Sequence, residues 1–277
     1  MAVATQSAYL PTPTATPPPC SHGCAHEHAH PLKSKKQAAP PYLPDRHNYR
    51  QTHPGLVKVE FGPEGQEFGS CLRAEKSFPA GTTICPIRNT LSGTKAYSSV
   101  QTLPDPPLDV GLFPSPAAAA AAGVPETYFS TAPPSTRRHI ELNSDLLYVN
   151  HSCDPNVAFD VGGREAEEGE EDESGAWDGR WRVRALKDIA EGEILTFAYF
   201  STEWDMDQPF ECLCGTDKCL GTIRGAKDLD MDVLDRYFIN DHIRAQKAFQ
   251  AAAASIPRPP LTEEEKELYK RKCACCS

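Results

Sequence analysis

From residue 56 onward, apolar and polar positions fall into short alternating runs. Leu56 to Phe61 alternates in this way, and Ile84 to Ile87 follows the turn signal Pro79-Ala80-Gly81. Tyr97 to Gln101, His139 to Leu142, Asn156 to Val161, Trp181 to Leu186 and Ile194 to Tyr199 share the character, each bounded by Gly, Pro, Asn or acidic turn residues. A period of two in β-branched and aromatic residues predicts half-buried strands. The expected fold is mainly β, assembled from several small sheets.

Two stretches break the alternation and read as surface insertions within one domain over 54–200. Leu103 to Pro134 is rich in proline and alanine. Its Ala117 to Ala122 run predicts a helical turn or two, a length that is marginal alone in water. The second, an acidic loop over 163–179, lies between two predicted strands and suggests a hairpin with a long tip. Further on the period becomes helical. Leu229, Val233, Leu234, Tyr237, Phe238 and Ile243 share one face of an amphipathic helix expected over Asp228 to Gln250. No internal repeat is visible.

Composition narrows the folded part. Ten of the 26 prolines fall in the first 54 residues, where little apolar periodicity exists, so residues 1–53 are expected to be disordered. The tail over 255–277 has the same character. The formal charge of −10 is concentrated as well: Glu165 to Asp178 holds eight acids and no base, leaving the rest near −2. Such a body offers no basic footprint for direct nucleic-acid binding, and the acidic loop reads as solvated. No apolar run nears the roughly 20 residues of a membrane span, and no secretory signal opens the chain. The expectation is an intracellular monomer, nuclear or cytoplasmic.

In that compartment eleven cysteines are better explained as thiols and metal ligands than as disulfides. Cys212-Leu213-Cys214-Gly215-Thr216-Asp217-Lys218-Cys219 packs three thiols into eight residues around a glycine. Zinc takes four thiolates in a tetrahedron at about 2.3 Å each, and a short loop with a glycine turn can deliver three. One such cysteine would read as an ordinary buried thiol; three read as ligands. The fourth must come from elsewhere. The nearest cysteine set in a motif is Cys153, within Asn150-His151-Ser152-Cys153-Asp154-Pro155-Asn156, where Asp-Pro-Asn marks a tight turn.

That heptapeptide, then Gly192-Glu193-Ile194-Leu195-Thr196-Phe197-Ala198-Tyr199, then the Cys-x-Cys-x4-Cys segment resembles the SET and post-SET regions of protein lysine methyltransferases, in the family's order. The likeness runs from about Pro54 to Gly225 and is strongest after His139. It implies a SET-domain fold with a pseudoknot, in which the strand ending at Tyr199 threads beneath the loop carrying Asn150. It also implies a post-SET zinc loop over 208–224, completed by Cys153 with Cys212, Cys214 and Cys219, and a C-terminal helix.

The implied activity is transfer of methyl groups from S-adenosyl-L-methionine to the lysine of a protein substrate, histone or non-histone. Asn150 and His151 match the pair that lines the cofactor pocket, to which Phe68, Gly69 and Leu213 of the post-SET loop would add contacts. Tyr199 matches the tyrosine at the methyl-transfer channel and borders the cofactor too. A phenol there orients the amine, which the reaction needs in line with the departing sulfur. Phe197 matches the position that influences how many methyl groups are added, and phenylalanine leaves room for more than one.

The sequence departs from the family pattern at Ala198, where Asp is usual, and in carrying a single Gly69 where Gly-x-Gly is usual. The second family tyrosine has Tyr97 as its nearest candidate. These departures keep open a rival reading, a catalytically silent SET module that binds a peptide or partner, and a weaker one, a zinc-stabilised scaffold. Cys20, His22, Cys24, His26, His28 and His30 could bind metal loosely. Cys273, Cys275 and Cys276 form no prenylation box, and Lys33 to Lys36 is too short for a nuclear address.

Overall fold

The computed structural model describes residues 44–64, 69–113, 115–122, 124, 126–129, 137–165 and 179–255. The expectations for the first 43 residues, Phe68, most of the acidic loop and the tail beyond 255 fall outside the described residues.

Every sheet is small, because each alternating run is only two to four residues long. In chain order the strands are β1 (Val57–Glu60), β2 (Cys71–Ala74), β3 (Thr83–Pro86), β4 (Leu91–Gly93), β5 (Ser99–Gln101) and β6 (His139–Glu141). They continue with β7 (Asn150–His151), β8 (Val157–Asp160), β9 (Arg182–Ala185), β10 (Thr196–Phe197), β11 (Phe210–Glu211) and β12 (Thr222–Ile223). β1 pairs antiparallel with β2, Val57 opposite Ala74. β3-β9-β8 and β4-β6-β5 form three-stranded sheets, and β11 pairs with β12. The period of two decides which faces meet: Val57 and Val59 are buried while Lys58 and Glu60 are exposed. With Leu72, Ile140, Phe159, Val183 and Leu195 they form the main core. Each such side chain contributes about 1.5–3 kcal/mol by leaving water.

β8 and β9 are antiparallel, and beyond them Arg164 and Arg180 form a separate parallel bridge in which Arg164 N donates to Gly179 O. The strand expected over Ile194 to Tyr199 is shorter than its pattern. Only Thr196–Phe197 pairs as β10, and the chain then closes into a 3-10 turn at Tyr199–Ser201.

Three further expectations change. Residues ahead of Pro54 do not all lie outside the fold: Tyr49 packs on the core, its hydroxyl accepts from Val59 N, and Thr52 N donates to Asp145. The Pro- and Ala-rich insertion is more than a surface appendage. Its short helix α1 (Pro116–Ala121) belongs to a second apolar cluster of Leu108, Ala119, Val124, Tyr128 and Phe129. That cluster closes on Ala245 and Phe249 near the C-terminal end of the fold.

The single helix expected over Asp228 to Gln250 is broken into α2 (Met231–Leu234) and α3 (Asp241–Ser255). Asn240 is the reason. Its backbone N–H and side-chain amide both donate to Ser201 O, the amide also reaches Phe159 O, and its Oδ1 accepts from Val161 N. These bonds fasten the chain to β8 and to the turn after β10, satisfying backbone groups that would otherwise be buried bare. No helix of the described residues is long and apolar enough to cross a membrane.

Candidate active site and metal centre

β7 and β10 lie parallel, with Thr196 opposite Asn150 and Phe197 opposite His151. The loop that follows β7 grips β10 from the other end. Ser152 N donates to Phe197 O and Asn156 N to Thr196 O, each at 3.1 Å. The Asn156 side chain completes the grip, donating to Ile194 O at 2.9 Å and accepting from Thr196 N at 2.8 Å. The two sequence motifs are therefore one piece of structure, the pairing that the expected pseudoknot requires.

His151 sits at the hinge of this piece. Its Nδ1 accepts from Tyr199 N at 3.1 Å, which leaves the ring proton on Nε2, 3.3 Å from Cys153 Sγ. Burial lowers its pKa to about 4, so the ring is neutral near pH 7. Around it stand Tyr199, Phe210 and Phe200, with ring centroids at 5.1, 5.7 and 5.9 Å. One side chain thus touches Tyr199 and the cysteine cluster together.

Cys153, Cys212, Cys214 and Cys219 bring their four sulfurs within 4.8 Å of one another, and Cys153 lies 3.7 Å from Cys212. A tetrahedron with Zn–S bonds of about 2.3 Å has edges of about 3.8 Å, so the donor set fits zinc. The surroundings suit thiolates: Leu220 N donates to Cys153 Sγ, and Thr216 Oγ1 lies 3.3 Å from Cys214 Sγ. Without a cation burial pushes the Cys153 thiol up to about 11. Burial acts the same way on Cys214, but the hydrogen bonds from Thr216, Cys153 and Cys212 together outweigh it and lower that thiol to about 6. Gly215 makes the loop possible, since its φ of 66° lies in the left-handed region. Behind Cys153, the Tyr237 hydroxyl donates to its carbonyl at 3.0 Å while the Tyr237 ring packs on Phe200.

A cavity of about 40 Å³ opens beside Tyr199, lined among others by Tyr97, Val100, Leu142, Val149 and Phe197. The Tyr199 hydroxyl points to Val149 O at 3.5 Å, and burial raises its pKa, so it remains a protonated phenol. Phe197 stacks between Phe159 and Tyr199 at 4.4 and 4.8 Å and forms one wall. Tyr97 is 47% exposed, which puts it at the mouth.

Asn150 Nδ2 donates to Ser70 O at 2.9 Å. No donor among the described residues reaches its Oδ1, which leaves that atom for a ligand. Gly69 has a partner that the Gly-x-Gly comparison does not reveal. A Cβ on Gly62 would lie 2.5 Å from the Gly69 carbonyl carbon, so the two backbones abut as only glycine permits. Leu213 is 48% exposed beside Cys212, an apolar surface available to a ligand. Ala198 is buried with Phe200, Leu234 and Ile243, so this departure concerns packing under α3 and does not alter the cavity wall.

The structure thus gathers Asn150, His151, Phe197, Tyr199 and the four cysteines, with Gly69 joined through Ser70. Sequence reasoning overlooks Gly62, Phe210 and Tyr237. Gly62 carries a signal in retrospect, a second glycine seven residues before Gly69; the two rings carry none.

Residues 69–200 match the SET domain family. Methyltransferase flvH of Aspergillus flavus is 38% identical over 214 residues, which cover 77% of this chain and 91% of that protein. Histone-lysine N-methyltransferase mes-4 of Caenorhabditis elegans is 36% identical over 81 residues, 29% of this chain and 8% of that protein. The H3 lysine-36 specific histone-lysine N-methyltransferase of Mycosarcoma maydis is 31% identical over 96 residues, 34% of this chain and 8% of that protein. The chain therefore spans nearly the whole of the first relative and about a twelfth of the two histone enzymes. It belongs to the SET-domain family, and the methyltransferase class and mainly β fold expected from its motifs stand with that membership.

Proposed function

We propose that this chain transfers methyl groups from S-adenosylmethionine to a lysine side chain of a protein substrate. The observation that carries the proposal is the cavity where Tyr199, Phe197 and the Val149 carbonyl converge, beside the β7–β10 pair that bears Asn150. A cofactor held by Asn150, His151, Gly69 and the exposed Leu213 supplies a methyl group on a positively charged sulfur. The substrate amine enters between Tyr97 and Tyr199. The aliphatic part of its side chain rests against Phe197 and Val100, and the Tyr199 phenol with the Val149 carbonyl orients its nitrogen. Phe197 offers no hydroxyl to occupy space beside that nitrogen, which suits addition of more than one methyl group.

Zinc at Cys153, Cys212, Cys214 and Cys219 has a positioning role. It ties the loop bearing Phe210 and Leu213 to the strand bearing Asn150 and His151. The proposed setting is the nucleus or the cytoplasm, with the protein acting as a monomer on histone or non-histone lysines, a range that takes in the substrates named for the two histone-lysine relatives.

The test is incubation of purified protein with labelled S-adenosylmethionine and a protein extract, beside Tyr199→Phe. Label recovered as methyl-lysine from the wild type and reduced about 100-fold in the variant is the expected result, the scale of losing one oriented polar group. Cofactor binding without any transfer by the wild type would make the chain a silent module.

A further inference from the structure

The cavity beside Tyr199 has a second polar wall that the reaction as described leaves unused. Glu203 lines it together with Tyr97, Phe197, Tyr199 and Asp207, and only 8% of Glu203 is exposed. The turn after β10 folds it back against the transfer tyrosine. Glu203 N donates to Tyr199 O at 2.9 Å, and Thr202 Oγ1 lies 3.2 Å from both Tyr199 O and Glu203 Oε1. Gln101 N donates to the same Oε1 at 2.8 Å. Among the described residues no donor reaches Oε2. Oε2 is not among the side-chain oxygens buried bare, so it keeps contact with solvent, where a cation or a proton can meet it.

Among the described residues no side chain supplies that cation. Lys95 is the nearest base, and its ammonium is engaged by Asp205 at 2.8 Å. Asp205 also takes Lys227 at 3.1 Å. From α3, His242 approaches through Thr202 O at 2.8 Å, with its pKa lowered to about 4 by burial and so neutral. His139 of β6 faces Asp105 at 3.2 Å, and burial lowers its pKa too. Asp207 is exposed at the mouth and adds negative charge. Burial raises the Glu203 carboxyl to about 7, against the opposing pull of the Gln101 N–H, Thr202 and Lys95. A group titrating there can take a proton at neutral pH and release it again. Tyr199 cannot, because its phenol holds its proton.

We infer that Glu203 meets the substrate lysine's ammonium in this cavity and accepts its proton; the inference rests on the methyltransferase reading of the same site. The N–H bond breaks with its electron pair left on nitrogen, and the proton forms an O–H bond with Glu203 Oε2. The neutral amine is then free to take the methyl group. The methylated product departs as an alkylammonium ion, and the proton on Glu203 passes to bulk water past Asp207, restoring the carboxylate.

Glu203→Gln keeps an acceptor oxygen for Gln101 N–H and Thr202 at the same volume, so the fold should persist, as unfolding midpoints will check. The probe is n-butylamine, a lysine side chain without its backbone. It is titrated into zinc-loaded full-length protein holding S-adenosylhomocysteine and followed by NMR. Wild type should bind it about tenfold more tightly at about pH 8 than at about pH 5, as expected for a charged hydrogen bond gained on ionisation. E203Q should lose that factor at about pH 8 and bind independently of pH, while Asp207→Asn should retain most of the pH dependence. Equal affinities in wild type and E203Q, no binding by wild type, or a pH dependence that survives in E203Q overturns the inference. Failure of the methyltransferase reading shows up elsewhere, as absence of label transfer by the wild type.

Discussion

Phe159, Val183 and Leu195 are fully buried in the sheet core, whereas in the loop from Phe210 to Ile223 only Ile223 is buried. The first region is held by apolar area. The second pairs two residues of β11 with two of β12, which is too little to order a loop against its own entropy. It has three sulfurs where the core has hydrocarbon, and a fourth comes from Cys153 in the loop after β7. The proposed site draws on both: strands fix Tyr199 and Asn150, and a metal-sized cluster brings a separate, weakly self-supporting loop against them. His151 is where the two meet, with Tyr199 on one ring nitrogen and Cys153 beside the other.

The largest effect should come from the sulfur side. Zinc binding to structural sites is worth about 10–16 kcal/mol at neutral pH in small peptides, so chelation or Cys153→Ser should open the loop entirely. Metal analysis should find one zinc per chain in the wild type. Limited proteolysis of C153S should cut within 210–223 while the strands resist. Full zinc and unchanged protection in C153S would remove Cys153 from the ligand set.

Next in size is the converse. Phe159→Ala removes a fully buried ring that stacks on Phe197, and should cost about 3–5 kcal/mol in urea unfolding. Zinc stoichiometry should stay at one if the two regions are supported separately; zinc loss in parallel with stability would merge them.

The smallest effect concerns pH and sharpens the boundary under α3. His242 is buried and its pKa is lowered from 6.5 to about 4. The unfolded chain binds that proton more readily, so the stabilisation is present above about 6.5 and lost as pH falls towards 4. It amounts to at most about 3 kcal/mol. Glu203 acts in the opposite sense, with stability lost as pH rises from 4.5 towards about 7. Thermal unfolding of His242→Gln against wild type should show the gap closing on acidification, and a gap constant from about pH 4 to pH 7 would contradict the assignment.

Much of this was legible in the sequence wherever the signal is local. Val57 and Val59 declare an inward face, three cysteines in eight residues declare a metal, and Asn150 to Asn156 marks the loop that closes it. Signals that depend on contacts between distant segments stay hidden. Gly62 and Gly69 matter only because their backbones touch, and Asn240 breaks a helical pattern because its amide finds Phe159 O and Ser201 O from far along the chain. The alanine-rich insertion looks marginal until Phe113 meets Phe129 and Phe249. Glu203 carries no signal in the sequence, and only the turn after Tyr199 folds it inside.

In the proposed site the sulfur cluster positions the loop that completes the cofactor pocket. Calorimetry of S-adenosylmethionine binding to wild type and Cys153→Ser tests it most directly. C153S should lose zinc and, with it, at least about tenfold in cofactor affinity, the scale of one lost charged hydrogen bond or a few apolar contacts. A C153S protein that holds no zinc yet binds the cofactor as tightly as the wild type would contradict it.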